Sequence, residues 1–264
     1  MAVKITHYLY NAFLVEEDEA TVVIDPGQNL WIFDLRSLVP QEQWPTATHI
    51  VITHGDPDHH WQSDRVAEAS NAPVVCGKEL AKVENGETLL VDPRGRGLTS
   101  WIPFKNVHPL DIGESVILGD VKIEAVKTVH GPISIPILWF KIKQQPGPGE
   151  RVGIGSVGFK ITLDGKTIVN LGDSILQTEW AGLKPDVLML PIGGPGNNTW
   201  TMDVTDALEA VKIIAPKKVI PCHYNVAFFW IKNIASADDQ LFKREVEKLG
   251  VECSIMRYGD EIEI

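Results

Sequence analysis

His54, Asp56, Asp58 and His59 place two imidazoles and two carboxylates on one short loop, directly after the β-rich run Thr48 to Thr53. Divalent first-row metals bind these groups, so the loop offers ligands at i, i+2, i+4 and i+5. If the chain stays extended past Thr53, then His54, Asp56 and Asp58 project to one side, because alternate residues of a strand share a face. Gly55 permits a tight path and Pro57 fixes its own φ, which predicts a held loop. His59 then leads into a helix from Trp61 to Ser70. Taken singly, Asp58 would pass for a helix cap and each histidine for a surface residue. Together they point to a metal clamp.

Three more candidates stand at the ends of β-rich runs: His130 after Val121 to Val129, Asp173 after Thr167 to Gly172, and His223 after Lys218 to Cys222. Strand ends facing one edge of a sheet can converge. The elements that would do this alternate in type. Short β-rich runs open the chain at Val3 to Tyr8, Ala12 to Glu16 and Ala20 to Ile24, the last closed by the turn Asp25-Pro26-Gly27. Others follow at Val74 to Cys76, Ser115 to Leu118, Val121 to Lys127, Ile137 to Lys143, Gly158 to Leu163, Thr167 to Leu171, Asp186 to Leu190, Lys218 to Pro221 and Glu252 to Met256. Val204, Ala207, Leu208 and Val211 recur at helical spacing, and a second amphipathic run covers Asp238 to Leu249. Gln144 to Glu150 and Pro93 to Gly97 have loop composition.

The ligand order, a His-x-Asp-x-Asp-His loop followed by a single His, a single Asp and a final His, resembles the metallo-β-lactamase superfamily. Asp25 occupies that family's early structural aspartate, and the resemblance runs essentially end to end. The segments Asp186 to Gly194, Thr201 to Asp203 and Pro221 to Tyr224 look most like the UlaG-like branch. The resemblance implies an α/β fold, the metallo-β-lactamase αββα sandwich, spanning residues 1–264 as a single domain. It also implies that His54, Asp56 and His130 hold one metal and Asp58, His59 and His223 the other, with Asp173 bridging. The family usually carries histidine where this chain has Asp56. A carboxylate there removes one positive charge from the site and hardens it, so manganese or iron become alternatives to zinc for one or two bound ions. The implied activity is metal-dependent hydrolysis by a metal-bound hydroxide on a small ester, lactone, thioester or phosphoester, with Asp58 and Asp173 as the catalytic carboxylates. Two rivals are an iron-binding redox protein of the same fold and a catalytically silent metal-binding regulator. UlaG-like relatives often assemble, so the resemblance also allows a homo-oligomer.

Composition narrows the partners. A net charge of −11 opposes a nucleic-acid or anionic-membrane partner and makes an anionic polymer a poor substrate, leaving a small molecule. At 44% apolar residues, 264 positions suit one full hydrophobic core. Cys76, Cys222 and Cys253 are too few and too scattered for a disulfide framework, and Met1-Ala2-Val3-Lys4 leads into no signal-peptide apolar core, which predicts the cytoplasm. No apolar run reaches the roughly 18 to 20 residues of a membrane span.

Other signals weigh less. Gly153, Gly155 and Gly158 match a dinucleotide-binding fingerprint by letter, but a Pro/Gly loop precedes and a β-rich run follows where the fingerprint needs a strand and a helix. Gly193 to Thr199 lacks the lysine of a phosphate loop and is better suited to shaping a pocket wall. Cys222 should face away from any metal that His223 meets, since neighbours on a strand point oppositely; Tyr224 should point away from His223 for the same reason. His60 is expected on the exposed face of its helix, and His7, His49 and His108 in ordinary structural roles. Trp61, Asn197, Thr199, Trp200 and Phe228 lie near ligand-bearing or pocket-forming segments and are the candidate substrate contacts, the aromatic ones as an apolar rim.

Overall fold

Burial patterns along the strands show which faces meet. In Val121–Lys127 the residues Val121, Ile123 and Ala125 are buried while Lys122 is exposed, the alternation of a strand with one covered face. Val187–Pro191 is buried at every position, as expected of a parallel strand covered on both sides. The structure is a computed structural model that describes residues 2–27, 42, 44, 47–94, 99–137, 140–146, 150–228 and 231–264, with side chains for all of these except 134–137, 140–144, 227–228 and 231–234. The predicted loops at 93–97 and 144–150 and the predicted strand at 137–143 fall partly outside the described residues.

Two seven-stranded sheets form the body. The first runs, in spatial order, Glu261–Glu263, Lys4–His7, Phe13–Glu17, Ala20–Ile24, His49–Ile52, Val74–Gly77 and Val107–Leu110. The second runs Ser115–Leu118, Val121–Lys127, Val157–Leu163, Lys166–Asn170, Val187–Pro191, Lys218–Cys222 and Glu252–Cys253. Each begins with four antiparallel strands and ends with three parallel ones. Apolar residues of both inner faces, among them Phe13, Val22, Val51, Phe159, Ile161 and Met189, make a shared core. On the outer face of the first sheet Ile50, Ile52 and Val74 pack with Val66 and Ala67 of the helix Ser63–Ser70. On that of the second, Leu188, Leu190 and Val219 pack with the helices Val204–Ile214 and Asp239–Lys248. This is the expected αββα sandwich. Asp203 and Asp238 cap the last two helices by accepting from the Asp206 and Leu241 N–H groups, each worth about 1 kcal/mol.

The structure differs from the sequence reading in places that affect the site. The loop is extended only through Asp56. At Pro57 a helical turn, Pro57–His60, begins, and proline suits that first position because its missing N–H would have no partner there. The His59 and His60 N–H groups both donate to the Asp56 carbonyl at 2.9 Å, so Asp58 and His59 reach the site from a helical turn. The longer helix starts at Ser63, two residues later than expected. His60 is not exposed: it is fully buried, with Nε2 2.8 Å from the Val91 carbonyl and Nδ1 2.6 Å from Ser63 Oγ. An added hairpin sheet, Ala81–Glu84, Glu87–Val91 and Trp101–Pro103, covers that side of the helix and removes it from water. The last predicted strand is also shorter, Glu252–Cys253.

Candidate metal centre

Strand ends deliver the polar residues to one edge of the sandwich. Asp25 follows Ala20–Ile24 and His54 follows His49–Ile52, both on the first sheet. His130, Asp173 and His223 follow Val121–Lys127, Lys166–Asn170 and Lys218–Cys222 on the second. The ends of parallel strands are where open α/β sheets generally present ligand sites. All seven predicted ligands come together. Asp56 Oδ2 lies 3.5 Å from His54 Nε2 and 3.4 Å from His130 Nε2. Asp58 Oδ2 lies 3.7 Å from His59 Nε2 and 3.3 Å from His223 Nε2. Asp173 Oδ2 stands between the two trios, 3.8 Å from His130 Nε2, 3.8 Å from His59 Nε2 and 3.4 Å from His223 Nε2.

The ring tautomers follow from what lies behind each histidine. Asp25 Oδ2 is 2.7 Å from His59 Nδ1, and a carboxylate only accepts, so in the neutral ring Nδ1 carries the proton and Nε2 is the lone pair. His130 Nδ1 donates to the Gly131 carbonyl at 2.6 Å with the same result. Thr53 Oγ1 gives its own proton to Asp25 Oδ2 at 2.6 Å and so receives one from His54 Nδ1 at 3.1 Å. His54 Nε2 and His59 Nε2 are buried without a hydrogen-bond partner among the described residues, as is Asp173 Oδ1. Bonds of about 2.1 Å in tetrahedral geometry set neighbouring ligand atoms about 3.4 Å apart, close to the spacings observed. The donor set and its unsatisfied atoms therefore fit one or two divalent cations, in the groups His54–Asp56–His130 and Asp58–His59–His223, with Asp173 shared.

Charge tells the same story. Burial alone would push the His59 imidazolium down, but the Asp58, Asp25 and Asp173 carboxylates outweigh it and raise its pKa to about 10. Burial works against the Asp58 carboxylate too, yet His59 and His223 hold it well below the usual range. Burial likewise opposes the Asp56 carboxylate, and the hydrogen bond and charge of His54 bring its pKa down. The cluster demands positive charge at its centre, from protons or from metal ions.

Behind the cluster lies a supporting layer, of which the sequence pointed only to Asp25. Asp25 also accepts from the Thr53 N–H at 2.7 Å and from Asn11 Nδ2 at 2.6 Å, and its φ of 45° lies in the left-handed region. Asn11 and Asn170 exchange amide hydrogen bonds at 2.8 and 3.0 Å, and Asn170 Oδ1 accepts from the Gly172 N–H, one residue before Asp173. The Gly153 N–H donates to Asp56 Oδ1 at 3.0 Å, leaving Oδ2 free. Buried Arg151 opens that segment, donating to the Asp92 and Pro93 carbonyls at 2.6 and 2.8 Å. The glycines that match a nucleotide fingerprint by letter thus form a wall of the candidate metal site. Single asparagines and a lone arginine carry no spacing that would have revealed them.

The remaining candidates are less uniform. Cys222 is buried and donates its thiol to Asn11 Oδ1 at 3.3 Å, away from the cluster, and burial raises its pKa. Tyr224 Oη accepts from Arg257 Nη1, facing away from His223. Trp61 is buried at the end of the ligand turn. Asn197 is exposed and Thr199 and Trp200 half-buried on the loop after Gly194. That loop reaches the site through Gly131, whose N–H donates to the Trp200 carbonyl at 2.8 Å next to His130. The Trp200 indole N–H is buried without a partner among the described residues. The Phe228 side chain lies outside the described residues.

With this geometry established, comparison with known proteins gives the family. The profile described as beta-lactamase superfamily domain matches residues 4–223. The chain belongs to the β-lactamase superfamily. Within it the chain is similar to a UPF0173 metal-dependent hydrolase of Desulforamulus reducens, 30% identical over 99% of this chain and 100% of the relative. It is equally similar to UPF0173 metal-dependent hydrolase NEQ378 of Nanoarchaeum equitans, 30% identical over 99% and 100%. Among solved structures it resembles Igni18, described as a novel metallo hydrolase of the archaeon Ignicoccus hospitalis, with a TM-score of 0.71, 26% identity and coverage of 100% of this chain and 99% of that one. The superfamily membership and the paired-sheet sandwich of the sequence reading both stand. Among the described residues, no helix is long and apolar enough to cross a membrane.

Proposed function

We propose that the protein is a metal-dependent hydrolase acting on a small ester, lactone, thioester or phosphoester. One observation carries this reading: four imidazole nitrogens, those of His54, His59 and His130 with tautomers fixed from behind, and three carboxylates converge at 3.3 to 3.8 Å. The names of the UPF0173 relatives and of Igni18 support it. His54, Asp56 and His130 would hold one ion and Asp58, His59 and His223 the other, with Asp173 between them. Zinc suits the imidazoles, and the carboxylate at Asp56 makes manganese or iron alternatives. Bound divalent ions supply Lewis acidity and lower the pKa of water towards about 7, which is what hydrolysis at neutral pH requires.

The chain's own residues do the rest. Asp25 and the Gly131 carbonyl lock His59 and His130 in orientation, so the site is organised before substrate arrives. Asp58 is ionised and half-buried, and it accepts a hydrogen bond from the attacking water. Once it has taken up the proton that the attacking water releases on attack, a carboxyl held so acidic gives it up readily, which suits it to hand that proton to the leaving-group oxygen. Trp61, Trp200 and Phe228 are assigned to the apolar rim of the substrate site, and Asn197 and Thr199 to polar contacts on its mouth.

The test is a panel of lactones, thioesters, phosphodiesters and phosphomonoesters, each with added Zn²⁺ or Mn²⁺ and with a chelator. Activity should depend on metal, and Asp173→Ala and His223→Ala should each abolish it. Hydrolysis that survives both substitutions refutes the assignment.

A further inference from the structure

Tyr10 plays no part in the ligand set, yet it is 3% exposed at the edge of that set and its hydroxyl has no hydrogen-bond partner among the described residues. It sits in the turn between Lys4–His7 and Phe13–Glu17, with φ at 52°, closed by the Tyr8 N–H to Ala12 carbonyl bond at 2.9 Å. The turn is pinned from two sides. The Tyr10 carbonyl accepts from the His223 N–H at 3.0 Å and lies 3.3 Å from His7 Nε2, whose other nitrogen is 3.2 Å from the Met256 carbonyl. The Tyr10 ring lies against the His223 imidazole, with centroids 5.2 Å apart. An ordinary phenol titrates at about 10, so at neutral pH the group is an intact O–H.

A buried hydroxyl without a partner is costly, and phenylalanine would fill the same space at no such cost. No described residue supplies the missing partner, and the neighbours of Tyr10 point to one from outside the chain. His223 and Asp58 belong to the second trio, where an oxygen of the reacting group would gain negative charge during hydrolysis. We propose that the Tyr10 hydroxyl is a fixed hydrogen-bond donor to a substrate oxyanion seated beside Asp58, His59 and His223. It donates a hydrogen bond and keeps its proton, so no bond to hydrogen is made or broken.

This inference rests on the metal-centre reading, and the experiment separates the two. Zinc stoichiometry of the wild type and of Tyr10→Phe is measured first, followed by calorimetric titration of the zinc-loaded proteins with inorganic phosphate, a tetrahedral oxyanion. Tyr10→Phe should bind the same zinc, melt at the same temperature or higher because an unpaired buried hydroxyl is gone, and bind phosphate about tenfold more weakly. A melting temperature that falls, or a variant that fails to fold, means the hydroxyl serves the fold and overturns the proposal. So does phosphate affinity within twofold of wild type, or a zinc-loaded wild type that does not bind phosphate at all. A protein that binds no zinc, manganese or iron brings down the metal-centre reading, and this inference with it.

Discussion

Asp25→Asn tests whether the layer behind the ligands sets metal affinity. Asp25 is fully buried and receives four donors: His59 Nδ1, Thr53 Oγ1 and Asn11 Nδ2 at Oδ2, and the Thr53 N–H at Oδ1. An asparagine has one oxygen, and the cheaper placement keeps it at the position serving three donors and turns its NH₂ toward the Thr53 N–H. The Thr53 N–H then loses its acceptor and faces the new NH₂, donor against donor, at a cost of at least about 1–3 kcal/mol. For a protein of this size that is a drop of roughly 2–10 °C in the melting temperature of the metal-free form. Asparagine tolerates the left-handed backbone at this position, so strain does not confuse the comparison. His59 meanwhile exchanges a charged acceptor for a neutral one, losing basicity and anchorage, and metal affinity should fall by about 10- to 100-fold. Differential scanning fluorimetry gives the first quantity and chelator competition for zinc at pH 7.5 the second. Affinity within twofold of wild type alongside a lower melting temperature would show that Asp25 serves the fold alone, and an unchanged melting temperature would refute the donor accounting.

Three further outcomes are expected. The raised pKa of His59 stabilises the metal-free fold fully below about pH 6.5 and is lost as pH rises toward 10, so the metal-free melting temperature should fall across that window. With metal bound the ion replaces the proton, so the melting temperature should hold through that range and fall only in acid, as protons displace the ion; fluorimetry from pH 5 to pH 10 with and without chelator checks both. Gly153→Ala would place a methyl 2.6 Å from His130 Cβ at a φ of 63°, so it should lose one metal equivalent and keep the other, as measured by elemental analysis of dialysed protein. Asp56→His removes one negative charge and supplies a softer ligand, and should shift competition between equimolar Zn²⁺ and Mn²⁺ toward zinc.

The cluster of candidate ligands was legible because its members are imidazoles and carboxylates at the ends of β-rich runs, a local signal. The sandwich was legible because its inner strands are apolar and bounded by turns; Ala20–Ile24, Ser115–Leu118 and Val121–Lys127 appear with the boundaries expected. The hairpin sheet from Ala81 to Pro103 was missed because its strands are partly exposed, mixed in polarity and at most five residues long. That omission is also why His60 was misplaced, since its burial comes from Val91 on that sheet and not from its own helix. Asn11, Asn170 and Arg151 escaped notice for a related reason: a positioning residue is defined by what it meets across the fold, here over separations such as the 159 residues between the two asparagines.

Ligands drawn from both sheets make the centre a rivet. His54, Asp56, Asp58 and His59 ride on one sheet, and His130, Asp173 and His223 on the other, so an ion held by either trio would straddle the seam between two halves of like layout. Each half buries its outer face under its own helices and could loosen on its own; an ion gripped by both obliges them to open together. Stripping it should therefore do more than silence chemistry: amide exchange along the seam, at Thr53, Asn170 and Cys222, should quicken well before the outer helices let go.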